Sequence, residues 1–468
     1  MGIGGDPSRR RSGIRRWLAE LWADAWRWAL FAIAVIGAVY FVLERGLANG
    51  AITAIVIGVL MIAAVITWSM PIATMLMATP AIFVVERIGL GGGDLTVSDA
   101  ALATGFGVAV LLGHHEHTPP MRAMLRLNLV YQFSTVFTVI INPFQQNLIE
   151  WVHAWLLISG ALILGWAIGR AGKAPIAMRL ILIVGAVIAA GTLLTAGMNF
   201  ARGDLGPVYP AWPWPMHKNF AGGALAFVAF AAWLNPDWMR VPKRWARITF
   251  GLCVVALLLT QSRQAIIGFI VVMLIYVLRQ GGAKHWVLAF LLALPGVVLL
   301  VQSVVEQIES QDKYNSVYQR LNWLQEVYHL WLDQPLVGHG LRYWYVHPTA
   351  NFQPPQAELE VIASAGVVGL VGFTIMWVGF IVVLWRVDPR FGMLALGSVL
   401  ARIVQAQFDL FWVSAQVSIP FLIAGICLGA QAFEAAQAPR ESEPAAFTRV
   451  RKIKSKTLGG TWNSATIS

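Results

Sequence analysis

Charge and cysteine are both scarce in this chain. Only 12% of its 468 residues are charged, and it holds two cysteines, Cys253 and Cys427. Both cysteines fall within apolar runs, so neither a disulfide framework nor a thiolate metal centre follows from them. No phosphate-loop motif occurs, and no convincing internal repeat. A cleavable leader is not expected, because no small-residue cleavage site follows the first apolar run and further runs come after it. The nearest approach to a metal motif is His114-His115-Glu116-His117. It lies in a short polar turn, and no metal or other cofactor is expected there.

What fills the chain instead is apolar: 58% of it is hydrophobic. A run of roughly 17–25 apolar residues crosses a bilayer as a helix. Only helices and closed barrels satisfy their backbone in lipid, and long continuous runs choose helices. The expected fold is therefore an all-α polytopic integral membrane protein. About fourteen transmembrane helices are predicted, at 26–43, 51–69, 72–86, 97–113, 127–143, 149–169, 180–198, 220–235, 248–262, 264–279, 285–303, 358–385, 391–410 and 414–432. A long extracytoplasmic loop, 304–357, precedes the last three. Residues 1–25 form a cytoplasmic N-terminal segment, 26–432 the transmembrane domain and 433–468 a basic cytoplasmic tail.

The net charge of +11 has a topological explanation. With the N-terminus inside, every basic cluster lands on one side: Arg9 to Arg16, Arg122 and Arg126, Arg170 to Arg179, Arg240 to Arg247, Arg279 and Lys284, Arg386 and Arg390, and the tail. That is the positive-inside pattern. It predicts an even number of spans, both termini cytoplasmic, and the cytoplasmic (inner) membrane as location. The lipid bilayer is the expected partner of this charge, not nucleic acid. Ile14, Trp17, Leu18, Leu21, Trp22 and Ala25 share one helical face, which predicts an interfacial amphipathic helix beneath the inner leaflet.

Two outer segments differ from the rest. Residues 199–219 contain Tyr209-Pro210-Ala211-Trp212-Pro213-Trp214-Pro215-Met216-His217-Lys218-Asn219. Prolines and aromatics make this a stiff, non-helical loop at headgroup level. Its rings suit stacking on sugars, Trp214 among them, or serve as an ordinary aromatic belt. In the second segment Val317, Leu321, Leu324, Tyr328 and Trp331 recur at helical spacing, predicting an amphipathic helix over about 314–332. Pro335, Gly338 and Gly340 then break it, and Arg342, Tyr343, Trp344, Tyr345 and His347 follow. Within the penultimate span, Arg402, Gln405, Gln407 and Asp409 must face protein or a water-filled cavity, as a cavity floor or a buried structural network.

Three features together resemble the O-antigen ligase and O-antigen polymerase superfamily of bacterial membrane glycosyltransferases. Thr260-Gln261-Ser262-Arg263-Gln264-Ala265 is similar to its Ser-Arg turn between two spans. Arg320-Leu321-Asn322-Trp323, then Pro335-Leu336-Val337-Gly338-His339-Gly340, is similar to its long outer loop. Glu360 with Ala365-Gly366-Val367-Val368-Gly369-Leu370 is similar to the start of its next span. Pro355 and Gln356 stand where the family often carries a His-Asn pair.

The resemblance implies a GT-C-like, inverting, metal-independent glycosyl transfer. The donor would be a polyprenyl-diphosphate-linked glycan and the acceptor a hydroxyl on a glycan or glycolipid. Guanidinium groups suit the diphosphate, since they stay ionised and bind phosphate oxygens in pairs. Arg263 is the first candidate for that contact, joined by Arg320, Arg342 and Lys218, with His217, Trp214 and Arg402 further candidates for the substrate site. A His or carboxylate must take the acceptor proton. His347 leads as that base, with Glu358 next and His217, His339 and Glu360 behind them. The rival from another class is a secondary transporter of a small anionic or sugar-like solute. It would show repeats and midplane polar helix breaks.

Overall fold

The computed structural model describes residues 50–87, 95–113, 116–280, 316–347 and 353–437, with scattered positions from 22 to 39 and at 287. The expected N-terminal amphipathic helix, the span at 285–303 and the tail beyond 437 therefore lie wholly or largely outside the described residues, as do His114 and His115, and the span at 26–43 is described only in part. The helices are α1 (Gly50–Ser69), α2 (Pro71–Ala81), α3 (Val97–Leu112), α4 (Pro119–Ile141), α5 (Gln145–Arg170), α6 (Ala174–Ala201), α7 (Lys218–Leu234), α8 (Lys243–Thr260), α9 (Arg263–Gln280), α10 (Ser316–Asp333), α11 (Ala357–Trp385), α12 (Pro389–Gln405) and α13 (Ser414–Gln437). Among the described residues there is no strand, only one isolated bridge between Arg87 and Thr96.

Five of these helices, α4, α5, α6, α11 and α13, are long and apolar enough to cross a membrane. The chain is thus an all-α, multi-pass membrane protein. Local signals explain several helix boundaries. Pro71 at the first position of α2 separates it from α1, because proline tolerates a helix start but not its interior. Thr96 caps α3 in a reciprocal box: its hydroxyl accepts from the Asp99 N–H at 3.2 Å, and the Asp99 carboxylate accepts from the Thr96 N–H at 3.0 Å. The expected span at 72–86 is only partly helical. At 11 residues, α2 rises about 16 Å, half of a bilayer core.

The core is built around α13, buried from Ser414 to Ala430, as expected of a helix apolar on all sides. It packs against α5 through two reciprocal Gly-x-x-x-Gly pairs. A Cβ at Gly165 or Gly169 would lie 2.3 or 2.5 Å from the Leu422 or Ile426 carbonyl oxygen. A Cβ at Gly425 or Gly429 would meet the Leu162 or Trp166 carbonyl oxygen just as closely. Small residues let membrane helices approach at backbone distance.

α11 is not continuous. Gly366 has φ 62° and ψ −165°, which frees backbone groups on either side of it. The segment 335–340 satisfies them. His339 and Gly340 N–H donate to the Ala363 and Ser364 carbonyls at 3.1 and 2.9 Å, while Val367 and Val368 N–H donate to Pro335 and Leu336 at 2.9 and 3.1 Å. Gly338, at φ 63°, lies against the Ser364–Ala365 peptide with no room for a Cβ. Further bonds fasten the same segment from below: Thr138 Oγ1 to the Val337 carbonyl at 2.8 Å and Asn142 Nδ2 to that of Gly338 at 3.0 Å. The sequence predicts Gly338 and Gly340 as helix breakers; in the structure they permit a close, hydrogen-bonded docking.

α10 occurs where the periodicity predicts it, but it is rotated relative to the expected apolar face. Val327 is buried against Trp344 and Ala363, with Leu330, Tyr343, Leu359 and Ile362 around them. Leu324 and Tyr328, assigned to the buried stripe, are more than half exposed. The side chains of residues 316–321, Arg320 included, lie outside the described set.

The connections separate into two groups. At one end, Val208 N–H donates to Leu259 O, Gln261 Nε2 to Leu205 O, and Ala357 N–H to Ala406 O. At the other, Arg179 reaches Arg240 O, Arg279 reaches Trp385 O, Arg170 reaches Ala432 O, and Trp238 reaches Arg390 O. The second end holds the basic residues that the sequence reading placed on the cytoplasmic side.

Candidate functional site

At the first end, α8 and α9 meet in a very short turn. Gln261 closes α8 in the left-handed region, at φ 50°, and the buried Ser262 directs Arg263 outward as the first residue of α9. Ser262 Oγ donates to Asn219 Oδ1 at 3.4 Å, which draws the start of α7 alongside. Lys218 is the first residue of α7. Two helix N-termini, each with unsatisfied N–H groups and a partial positive charge, thus carry two cations side by side. Neither Lys218 nor Arg263 has a carboxylate or hydrogen-bond partner among the described residues. Burial first, then the charge of Arg263, pull the Lys218 ammonium below the usual lysine range. Lys218 stands just outside the apolar stretch of its helix.

His217 caps α7 by accepting the Asn219 N–H on Nδ1 at 3.3 Å. Burial lowers its pKa, opposed by the Asp409 carboxylate and reinforced by Lys218. Tyr209 packs edge-on against it at 5.4 Å. The Trp214 indole N–H is buried without a partner. Asp409 accepts from Gln264 Nε2 at 2.7 Å, so the start of α9 is also tied to the connection between α12 and α13.

That connection, residues 406–413, also reaches α4, α11 and α12. Gln407 Nε2 donates to Glu358 Oε1 at 2.8 Å, while Glu358 Oε2 is buried with no hydrogen-bond partner among the described residues. The Phe411 N–H donates to the buried carboxylate of Glu360 at 3.3 Å. Trp412 stacks on the buried Tyr131 ring at 5.5 Å. Arg402, wholly buried, holds the connection from beneath. It donates to Gln416 Oε1 at 2.8 Å, to the Leu410 carbonyl at 2.7 Å and to the Phe411 carbonyl. Both terminal nitrogens of its guanidinium thus donate to protein, while Nε is buried with no hydrogen-bond partner among the described residues.

A third group completes this end. Asp99 accepts from Ser414 Oγ and lies 2.9 Å from His153 Nε2; His153 Nδ1 lies 3.6 Å from Glu150; Arg342 Nε meets Glu150 at 2.8 Å. Asn147 adds a 2.7 Å bond from the Leu341 N–H. Arg342 is therefore ion-paired with Glu150, with its guanidinium also 4.5 Å from the Tyr345 ring. His347 is exposed and stacked on Tyr343 at 4.3 Å, with Nδ1 3.1 Å from the Tyr343 carbonyl. His339 lies 2.9 Å from the Leu330 carbonyl.

Of the residues anticipated from sequence, the structure gathers Arg263, Lys218, His217 and, through the 406–413 connection, Glu358. Arg342 is instead ion-paired with Glu150, and His347 packs on Tyr343. Asp99, Glu150 and His153 were not anticipated. Their signal was present: ionisable residues inside apolar spans, with Glu150 and His153 three apart on one helix face. Among the described residues no cluster of His, Cys, Asp and Glu is arranged to hold a metal ion.

The fold and this cluster define a class: a multi-pass helical membrane protein whose polar and ionic groups converge at one end of the bundle. Residues 248–374, from α8 to the middle of α11, match the family model described as O-antigen ligase. That match supports the O-antigen ligase/polymerase superfamily for this chain, as the motifs implied, and it spans Arg263, Arg320, Arg342, His347 and Glu358. No curated protein sequence matches the chain.

Proposed function

We propose that the protein is a membrane glycosyltransferase of O-antigen ligase or polymerase type, acting at the outer face of the cytoplasmic membrane in cell-surface polysaccharide assembly. Its donor is a polyprenyl-diphosphate-linked glycan and its acceptor a glycan or glycolipid hydroxyl. The observation that carries this reading is the pair Lys218 and Arg263. Two cations without anionic partners among the described residues, on adjacent helix N-termini, suit a diphosphate. Glu358 Oε2, unpartnered among the described residues, adds the second requirement, a carboxylate able to take a proton.

In this mechanism the acceptor oxygen attacks the anomeric carbon from the face opposite the diphosphate. The carbon–oxygen bond to phosphate breaks, and both bonding electrons leave with the lipid diphosphate. Lys218 and Arg263 stabilise that departing charge, a term that grows toward the transition state. Glu358 accepts the acceptor proton, which fits a chain with Pro355 and Gln356 in place of the family's His-Asn pair. Gln407 orients Glu358. Arg320, part of the motif similar to the family's outer loop, is proposed as a further contact to the donor. Arg342 and Arg402 act as positioning residues, through Glu150 and through the 406–413 connection. The trio His217, Trp214 and Tyr209 would border the sugar.

The test is transfer by purified protein in liposomes, with purified lipid-linked donor, no nucleotide sugar and a chelator present. Glu358→Gln should slow transfer at least about a hundredfold, roughly 2.7 kcal/mol of barrier, while donor binding persists. Transfer that requires added divalent metal, or a Glu358→Gln variant of normal rate, would overturn this mechanism.

A further inference from the structure

The basic end holds a cavity of about 360 Å³ between the end of α7, the last turn of α9 and the start of α12. Its wall has two characters. Leu234, Met393 and Leu394 make it apolar, while Tyr276, Arg279 and Arg390 make it polar and cationic. The two arginines are not equivalent. Arg390 is already paired with Asp388 at 3.1 Å and lies 3.6 Å from Glu434. Arg279, half-buried, has no carboxylate partner among the described residues. Its Nη2 donates to the Trp385 carbonyl at 2.8 Å, and its guanidinium stacks over the Trp385 ring at 4.6 Å. Its Nη1 is left facing the Met393 sulfur at 3.0 Å.

A thioether is a weak acceptor. An arginine fixed in plane by a carbonyl and an indole, yet offered only sulfur on its open side, is prepared for a better acceptor. Tyr276 lies three residues before Arg279, one turn away on the same helix, and its hydroxyl has no hydrogen-bond partner among the described residues. The two groups present convergent donors at one side of a cavity whose other side is hydrocarbon. A phosphodiester fits the donors, because a charge-assisted bond from guanidinium to phosphate oxygen is far stronger than one to sulfur. Methylene chains fit the apolar wall. The end of the bundle also matters: it is the end with the excess of Lys and Arg, where anionic lipid is attracted.

We propose that this cavity binds the headgroup of an anionic phospholipid, with Arg279 as the principal phosphate ligand, Tyr276 as a second donor and Arg390 as a distant, partly neutralised contributor. The ligand is a structural lipid of the bilayer, and the site is separate from the cluster at the opposite end.

The experiment is native mass spectrometry of the full-length protein released from mixed vesicles of phosphatidylglycerol and phosphatidylcholine. The wild type should retain phosphatidylglycerol over phosphatidylcholine, and Arg279→Gln should cut that retention about tenfold. Tyr276→Phe, a mild change that preserves folding, should cut it about threefold. Arg126→Gln, a basic residue on α4 away from the cavity, should change nothing. Equal retention of the two lipids, or full retention by both Arg279→Gln and Tyr276→Phe, overturns the proposal. So does displacement of the lipid by millimolar inorganic phosphate with no loss of stability, which would make the site one for a free anion.

Discussion

The two ends of the bundle handle charge in opposite ways. At the end bearing Arg263, ionisable groups are drawn inward: Asp99, Glu150, Glu360 and Arg402 are all buried, and nearly every one is tied to a residue on another helix. At the other end, Arg240, Lys243 and Arg244 are exposed. A charge held in a low-dielectric interior is retained only when paired or bonded, so the first end is a built structure and the second largely a solvated one. Against that background Lys218 and Arg263 are exceptional: they sit at the built end, yet among the described residues they lack the partners that the other charges there possess.

Mutations should reproduce this asymmetry. The largest effect is expected at the break in α11. Gly366→Ala places a Cβ 2.3 Å from the Leu336 carbonyl carbon at a positive φ, and should destabilise by at least about 3 kcal/mol. Thermal unfolding in detergent, read by tryptophan fluorescence, should show it; an unchanged transition would mean that the 335–340 docking is not needed. Next is Arg402→Met, which strips Gln416 and the Leu410 and Phe411 carbonyls of their donor, with a loss of about 3 kcal/mol. Arg244→Ala at the opposite end should stay within about 0.5 kcal/mol of wild type. Similar losses for the two arginines would erase the distinction between the ends.

The smallest effect concerns pH. Burial holds His217 below the ordinary imidazole value, so the folded state favours the neutral ring. Its contribution to stability is complete above the unfolded value, near 6.5, and is lost as pH falls through the lower folded value. His217→Gln should flatten a shallow decline in stability on acidification below about pH 6.5. A decline of the same depth in the variant would assign it to other groups.

Much of the architecture was legible in the chain. The expected span at 358–385 coincides with α11 to within a residue, because a long apolar run bounded by polar residues specifies little else. The break at Gly366 was not legible, since the bonds that satisfy it come from 335–340, a contact that no local pattern encodes. The rotation of α10 has the same cause: Val327 and Leu330 are buried by Trp344 and Ala363, whereas periodicity alone chose the face of Leu324 and Tyr328. In the site, Arg263 stood out because a charge at the lip of two spans is costly. Arg342 looked equivalent as a cation, but its ion pair with Glu150 joins distant parts of the chain. Asp99 and His153 carried an intramembrane signal that the loops overshadowed.

The central claim is that Lys218 and Arg263 receive the donor diphosphate. Its most direct test is the affinity of the purified protein for a short-chain polyprenyl diphosphate, measured by calorimetry in detergent at two salt concentrations. Arg263→Lys should weaken binding at least about tenfold, roughly 1.4 kcal/mol, because a point charge cannot copy a paired guanidinium contact. Lys218→Gln should also weaken it, and the double variant should lose measurable binding and its salt dependence. Wild-type affinity in the double variant, at normal thermal stability, would contradict the account.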